Sequence, residues 1–453
     1  SVGDNIGYSV HLNTAVAKHT RLVFCTTGVL RRQVLADPEL RGITHLVLDE
    51  LHERDKITDF VLIFIKDLLE RRKDLKIILM SATLRVESWR KYFPGCCEIN
   101  VPGRAYPVQR MFLNDLAPLL HKEGYHDELG PGFAAGGQGF VSTDGDDKKC
   151  GDKKFKGMVQ PFMAYANCPK PHPFTKMADK PLNGKRLAEG LLLHDILQER
   201  DGCLFDKRIV IATLDYCHYK ELDDFSDTLE INTAYTKFRN EDFKKQNTSR
   251  GVTLVFCPGY DIIDNLKRTL RDHIIFGNAS QYCVLPLHGQ IRPEQQKQVF
   301  QVVDPCVRKI VLATNVAEVS LTIDGVDTVI DLGRAKQSSY DAFLGIPTLH
   351  LSWVSQASAT QRAGRAGRTR EGICYHIFSK ERHENLDEYL TPEMLRSPVD
   401  DVFLHARLIL TRQNRITTPV RDFLQHAPDP PDDEAITRAK EFLLQVLMEW
   451  LEA

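Results

Sequence analysis

One pattern recurs along this chain and limits what it can fold into: a short apolar, β-branched run that stops abruptly at small, polar or charged residues. "RLVFC" runs into Thr26-Thr27-Gly28, "HLVL" into Asp49, and "KIILM" into Ser81-Ala82-Thr83. Such runs read as strands whose loops begin where the apolar residues end. Between them lie stretches of helical period, notably "TDFVLIFIKDLLERRK", predicted to start with Thr58 as its cap and to be buried over most of its surface. Strands alternating with helices imply a parallel sheet, and in open parallel sheets ligands collect beyond the carboxyl ends of the strands. Residues 1–114 therefore read as one α/β domain, in part.

From 115 to 248 the pattern breaks. "GPGFAAGGQGFVSTDGDDKKCGDKKFKG" is Gly-rich and then mixed in charge, which predicts an insertion or linker that is partly disordered. A helical pattern returns near "AEGLLLHDILQERD", but 187–248 carries no recognisable chemistry. A second α/β series then runs through "GVTLVFCPGYDIIDNLKRTL", "YCVLPLHG", "RKIVLATN" and "VDTVIDLG", so 249–382 reads as a second parallel-sheet domain. Beyond it, Thr391-Pro392, Ser397-Pro398 and Thr418-Pro419 place proline at the first position of successive helices, and 383–453 reads as the start of a helical domain.

At 453 residues and 51.5 kDa, with 42% hydrophobic residues, the chain is long enough for roughly two to four domains. Its 59 Lys and Arg against 61 Asp and Glu leave a net charge of −2, so no global basic field announces nucleic acid and any such site must be local. The 11 cysteines form no CxxC pair, which removes the zinc-framework and redox-motif readings and points to a reducing compartment, cytoplasmic or nuclear. No apolar stretch approaches the roughly 20 residues of a membrane span. The first residues, "SVGDNIGYSVHLN", lack Met and any basic or apolar leader, and read as a cut end.

Two motifs carry most of the chemistry. Asp49 and Glu50 emerge at the mouth of a sheet, where one carboxylate can hold Mg²⁺ and its neighbour can orient or deprotonate water. A solvated acid pair at a strand end is the competing reading. In "SQASATQRAGRAGRTREG", Gln361, Arg365 and Arg368 are spaced by four and then three residues, which puts them on one face if the segment is helical. Arginine forks suit phosphate contact and charge stabilisation in phosphoryl transfer, while Gly364 and Gly367 let another chain segment approach. A bland basic surface helix is the alternative there. Ser81 and Thr83 can link a metal site to its neighbours through hydroxyl hydrogen bonds, although a plain strand-end turn explains them as well. Thr314, Asn315, Ser320 and Thr322 follow another strand and can position a nucleic-acid backbone without reading bases.

Taken together, the motifs resemble the DEAH and RNA-helicase-A (DExH-box) branch of the superfamily 2 RNA helicases. "DELH" at 49–52 resembles motif II, "SAT" at 81–83 motif III, "TNVAEVSLTID" at 314–324 motif V and "QRAGRAGR" at 361–368 motif VI. "TTG" at 26–28 is similar to motif Ib and "LVFCPGYDII" at 254–263 to motif IV. The resemblance implies two tandem RecA-like domains closing on ATP, RNA lying across both, and the start of a winged-helix domain after them. It implies that Asp49 holds Mg²⁺ with Glu50 beside it, that Glu50 activates the hydrolytic water, and that His52, Ser81 and Thr83 couple hydrolysis to movement. Gln361 would approach the γ-phosphate side, Arg365 and Arg368 would act as arginine fingers, and Asp324 would face the nucleotide. Phe300 matches an aromatic that stacks on adenine, and Thr27, Thr314, Asn315 and Thr322 match positions that grip RNA phosphates.

This sequence departs from the family pattern in three places. No GxxxxGK[ST] phosphate loop occurs in the 453 residues, which fits motifs I and Ia lying upstream and predicts little ATP turnover by this segment alone. Val319 stands where the family usually has Thr, and His11 where it usually has Arg. The readings carried forward are an ATP-dependent RNA helicase or RNA-remodelling ATPase, and a non-catalytic RNA-binding scaffold with a degenerate helicase core; under either, the insertion is where protein partners are expected. A DNA translocase shares the same motifs.

Overall fold

The structure is a computed structural model that describes all residues except 1, 83–85, 102, 104–105, 117–139, 143–203, 224–249, 319–320, 342–345 and 453. The chain divides into two compact units. One comprises Ser1–Val101, Ser338–Leu349 and Leu390–Ala453; the other comprises Pro102–Gln337 and His350–Tyr389.

In the first unit, strand β1 (Ile6–Val10) pairs antiparallel with β2 (Asn13–Ala15) and parallel with β3 (Leu22–Cys25). Strands β4 (His45–Leu48) and β5 (Lys76–Leu79) form a second parallel ladder with Leu48 opposite Leu79. The helix between them runs Lys56–Arg71 and is capped by Asp55 rather than Thr58. Asp55 Oδ1 accepts from the backbone N–H of Ile57 at 3.0 Å and of Thr58 at 2.9 Å. A carboxylate just ahead of the first turn satisfies two of its unpaired donors and faces the positive end of the helix dipole, so it wins over the hydroxyl one turn further on.

Phe60, Val61, Leu62, Ile63, Phe64 and Ile65 are all fully buried. An apolar surface running all the way round a helix needs cover on every side, and the cover includes the chain's last helices. Helices Asp400–Arg412, Val420–Leu424 and Asp433–Glu452 share a core with it, through Val402, Ile409, Phe423 and Ile436. Residues 383–453, expected as a domain of their own, are thus largely packed into the same unit as the first α/β layer. Each such buried Leu, Ile or Phe contributes roughly 1.5–3 kcal/mol. The prolines sit just before these short helices rather than at their first residue: Pro392 and Pro419 are the capping residues of Glu393–Arg396 and Val420–Leu424.

The second unit holds a six-stranded parallel sheet in the order β10-β11-β9-β12-β15-β6. Its strands are β6 (Val108–Met111), β9 (Val252–Phe256), β10 (Tyr282–Leu287), β11 (Arg308–Ala313), β12 (Val326–Asp331) and β15 (Gly372–His376). Strand β6 falls inside the 1–114 segment that the sequence reading assigned to the first domain, yet it pairs with β15, Val108 opposite Gly372 and Met111 opposite Tyr375. Gly367 makes the approach possible: a Cβ there would lie 2.5 Å from the Tyr106 carbonyl oxygen, and the Gly367 carbonyl accepts from the Tyr106 N–H at 2.8 Å. At Gly364, the other glycine of that stretch, the space is open.

Helix Tyr260–Asp272 presents Ile262, Ile263, Leu266 and Leu270, at helical spacing, to this sheet. Helix Lys207–Asp223, inside the 115–248 segment, adds Ile209, Val210, Ala212 and Leu214 to the same core. Two short ladders complete the unit's description: β7 (Phe140–Ser142) with β8 (Leu204–Asp206), and β13 (Arg334–Asp341) with β14 (Ile346–Trp353), whose far end falls in the first unit. The rest of the expected insertion lies outside the described residues. No described helix is long and apolar enough to cross a membrane.

Candidate nucleotide and nucleic-acid site

In the first unit the acid pair sits at the carboxyl end of β4, and the backbone breaks there. Glu50 adopts the left-handed conformation, φ 56° and ψ 37°, and Arg54 does so again at φ 50°. A non-glycine residue in that region is strained, and the strain persists because both flanks are fixed. The Leu51 N–H donates to the Met80 carbonyl at 3.2 Å, and the Met80 N–H to the Leu48 carbonyl at 2.8 Å. Past the turn, Arg54 forks onto the fully buried Asp59 at 3.1 and 3.0 Å and reaches Asp429 at 2.6 Å.

This turn brings Glu50, His52 and Ser81 together. His52 Nδ1 lies 3.3 Å from Ser81 Oγ and 3.6 Å from Glu50 Oε2, and the His52 ring is buried while Glu50 is partly open to solvent. Asp49 is exposed, and its Oδ1 accepts the Glu50 N–H at 2.8 Å. A single hard carboxylate of this kind suits Mg²⁺, which is held by one or two carboxylates together with water and substrate phosphate rather than by an all-protein cage. Among the described residues no group of three or more His, Cys, Asp or Glu side chains is placed to hold a metal by itself. Thr83 and Val319 lie outside the described residues. Thr27 is the first residue of helix Thr27–Ala36, where unpaired backbone N–H groups favour an anion.

In the second unit the three donors of the Gln361–Arg368 stretch do not share a helix face. Helix Gln356–Gly364 ends before Arg365, and the chain turns through Arg365, Ala366 and Gly367. Arg365 is buried and donates from Nη1 to the Leu321 carbonyl at 3.0 Å and from Nη2 to the Glu318 carbonyl. Arg368 is exposed and donates to Thr322 Oγ1 at 2.7 Å. Gln361 keeps its amide nitrogen buried and, among the described residues, without a hydrogen-bond partner. Both arginines therefore close on the loop after β11, which also carries Thr314, Asn315 and Asp324. Asn315, Thr322 and Asp324 are exposed there, whereas Thr314 is buried.

Phe300 ends a short 3₁₀ turn, Gln298–Phe300, with its ring half-exposed. Lys309 fixes that turn from below, its ammonium donating to the carbonyls of Val299 at 2.9 Å and Gln301 at 2.7 Å. Burial pushes the Lys309 ammonium below its usual range, against the pull of Asp324. The sequence reading passed over Lys309, as well as Glu318 and Arg362, the pair that ties the loop after β11 to the helix. Nothing in their spacing marks them: Lys309 is defined by backbone carbonyls eight and ten residues before it, and Glu318 and Arg362 by each other, 44 residues apart.

Residues 234–370 match the helicase conserved C-terminal domain family. Over 443 residues the chain is 33% identical to the DExH-box ATP-dependent RNA helicase DExH1 of Arabidopsis thaliana, an alignment covering 98% of this chain and 39% of that relative. Over 449 residues it is 32% identical to the ATP-dependent DNA/RNA helicase DHX36 of Homo sapiens, again with 98% and 39% covered. Among solved structures, that of the Escherichia coli DEAH/RHA helicase HrpB matches with a TM-score of 0.61 at 25% identity, over 98% of this chain and 41% of that one. The chain thus spans about two fifths of the length of these relatives. With its motifs in order, its parallel α/β sheets and similarity along nearly its whole length, the chain belongs to the DEAH/DExH-box branch of the superfamily 2 helicases.

Proposed function

We propose that this chain supplies hydrolytic and RNA-contacting groups of an ATP-dependent RNA helicase or RNA-remodelling ATPase. The observation that carries the proposal is the turn after β4, where a strained left-handed Glu50 stands beside His52, whose Nδ1 lies near both the Glu50 carboxylate and Ser81 Oγ. A solvated acid pair of no function gains nothing from a left-handed glutamate held on both flanks.

In this reading Asp49 holds Mg²⁺, which neutralises phosphate charge when bound. Glu50 accepts the proton of the attacking water, since its side chain is partly open to solvent. His52 senses the state of Glu50 and passes it to Ser81, and Thr83 follows in the same segment. Gln361, Arg365 and Arg368 stabilise charge on the transferred phosphoryl group, Phe300 stacks on the base of the nucleotide, and Asp324 faces it. Thr27, Thr314, Asn315 and Thr322 hold the RNA backbone, which is a sequence-tolerant mode of binding. The domain division 1–114, 115–248, 249–382 and 383–453 enters the same proposal as the family's arrangement, with strand β6 and helix Lys207–Asp223 serving the second sheet. The names of the relatives support RNA, and in one case DNA as well, as the polymer.

The test uses the full-length protein that carries this segment. ATP hydrolysis is expected to rise on adding single-stranded RNA and to rise less with DNA of the same sequence, because only RNA offers 2′-hydroxyls. Glu50→Gln is expected to lower the stimulated rate about 10²–10⁴-fold, the usual loss of a general base. An unchanged rate in that variant refutes the assignment.

A further inference from the structure

Two left-handed residues bracket the turn that presents Glu50: Glu50 itself, and Arg54 at φ 50° and ψ 39°. On one flank the turn is held by β5, through the Met80 carbonyl. On the other it is held by Glu393 and Asp429, residues of the same compact unit that follow Lys56 by 337 positions and Arg54 by 375. The Glu393 N–H donates to the Arg54 carbonyl at 3.0 Å, and the Glu393 carboxylate accepts from the Lys56 N–H at 3.0 Å, so one residue grips the backbone on both sides of Asp55. The Arg54 guanidinium bridges Asp59 and Asp429, with the Trp89 ring centroid 5.9 Å from it. Lys56 Nζ adds the Pro398 carbonyl at 3.0 Å and Asp401 Oδ1 at 2.8 Å.

The buried Asp59 needs Arg54, and its two hydrogen bonds from a residue five positions away already meet that need. Asp429 has no such need: its side chain is 47% exposed, so it fills no core position and would be solvated without a partner. What Asp429 and Glu393 add is direction, one fixing the guanidinium and the other the backbone of the same residue. A left-handed non-glycine keeps its conformation only while its surroundings over-determine it, and Arg54 is fixed at both side chain and carbonyl by residues far along the chain. We propose that Glu393 and Asp429 are positioning residues for Glu50: by fixing Arg54 they keep the turn in its strained form, and with it the place of the Glu50 carboxylate beside His52. The proposal rests on the reading of Glu50 as the group that accepts a proton from the attacking water.

The experiment measures ATP turnover of the full-length protein at saturating single-stranded RNA, well below its unfolding midpoint, with ATP KM, RNA Kd and thermal unfolding followed on every variant. Glu393→Ala and Asp429→Ala combined are expected to lower kcat about 10-fold, since a displacement of about 1 Å at a catalytic group costs about 10²-fold and the relaxing turn moves Glu50 by less. The ATP KM and the RNA Kd are expected to stay within about twofold, because no group that binds either is removed. The same two substitutions are then placed on Glu50→Gln. There they are expected to change the residual rate by no more than about twofold, because residues that act only through Glu50 lose their effect with it, whereas a general loosening of the unit slows both backgrounds alike. A folded combined variant with unchanged kcat, or one whose loss is as large on Glu50→Gln as on the parent, overturns the proposal. If the combined variant does not fold, Asp429→Ala alone decides by the same criteria. Glu50→Gln by itself separates the two levels. Unchanged turnover there refutes the role of Glu50, whereas a collapse there with the combined variant at the parent's kcat refutes the positioning alone.

Discussion

Asp331→Asn isolates the electrostatic centre of the second unit. The carboxylate receives three donors: Arg362 Nη1 at 2.8 Å, the Gly333 N–H at 2.9 Å and His376 Nδ1 at 3.2 Å. Asparagine offers one acceptor oxygen and turns an NH₂ toward the remaining donor, so the substitution loses the charge and sets donor against donor. Arg362 keeps Glu318 but loses half of its neutralisation in a fully buried site. Breaking a buried pair from one side costs about 3–5 kcal/mol. For a unit of this size, where 1 kcal/mol moves the midpoint by roughly 2–4 °C, the expected fall in Tm is roughly 6–20 °C.

Trp353 reports this unit, because it packs with Phe378 in one of its buried clusters and stacks under Arg334, whose guanidinium lies 3.7 Å from the ring centroid. With the other two of the 3 tryptophans, Trp89 and Trp450, replaced by Phe, its emission follows the unfolding of this unit. The pH dependence supplies a second and independent sign. The folded carboxyl is held below its unfolded value of about 3.9, so the unfolded chain binds the extra proton first. The contribution of Asp331 is therefore complete above about pH 5 and is lost as pH falls through 4 toward the folded value. Asp331→Asn lacks that dependence, so the gap between it and the parent is expected to shrink on acidification. A midpoint within about 2 °C of the parent at neutral pH, or a gap that widens toward pH 3, refutes the reasoning.

Two further substitutions test the fold that carries the site. Gly367→Ala is expected to destabilise the second unit by about 1–3 kcal/mol, because the new Cβ meets the Tyr106 carbonyl at 2.5 Å and Val108 Cγ2 at 2.7 Å. Gly364→Ala, where nothing lies within 4 Å, is the matched control, and equal losses in the two by Trp353 emission would sink the explanation. Asp55→Ala removes the cap that holds Ile57 and Thr58 and is expected to cost about 1 kcal/mol, read as a lower urea midpoint of the first unit; Thr58→Ala, if it were the costlier of the two, would restore the cap expected from sequence.

The sequence discloses what is local. Strands such as β4, β5, β9 and β11 are apolar runs with a hard stop, and a stop of that kind is written in adjacent residues. Strand β6 is not, because "VQRM" alternates weakly and owes its place to β15 and to a glycine far along the chain. Helix Lys207–Asp223 escaped for a related reason: among its described residues, buried Ile209, Val210, Ala212, Thr213, Leu214 and Asp215 run almost together instead of repeating at helical spacing. Asp49 and Glu50 are legible as residue types at a strand end, but the left-handed turn that aims Glu50 is not. It depends on the Leu51 N–H finding a carbonyl on β5.

The arginines of "QRAGRAGR" show where such reading reaches its limit. As letters, Arg362, Arg365 and Arg368 are equivalent cations, and helical spacing groups the last two with Gln361. The fold ranks them differently: Arg362 fully buried, Arg365 buried with its guanidinium on two carbonyls, Arg368 exposed on a threonine hydroxyl. That ranking follows from Glu318, 44 residues before Arg362, and from Asp331, 31 residues before it. A guanidinium enters an apolar interior only where carboxylates already wait for it, so the burial of Arg362 is decided by the sheet that delivers those acids. Once Arg362 is fixed, the helix cannot turn, and the chain that leaves it must deliver Arg365 and Arg368 to the loop after β11. The residue with the least evident chemistry thus sets the direction of the two with the most.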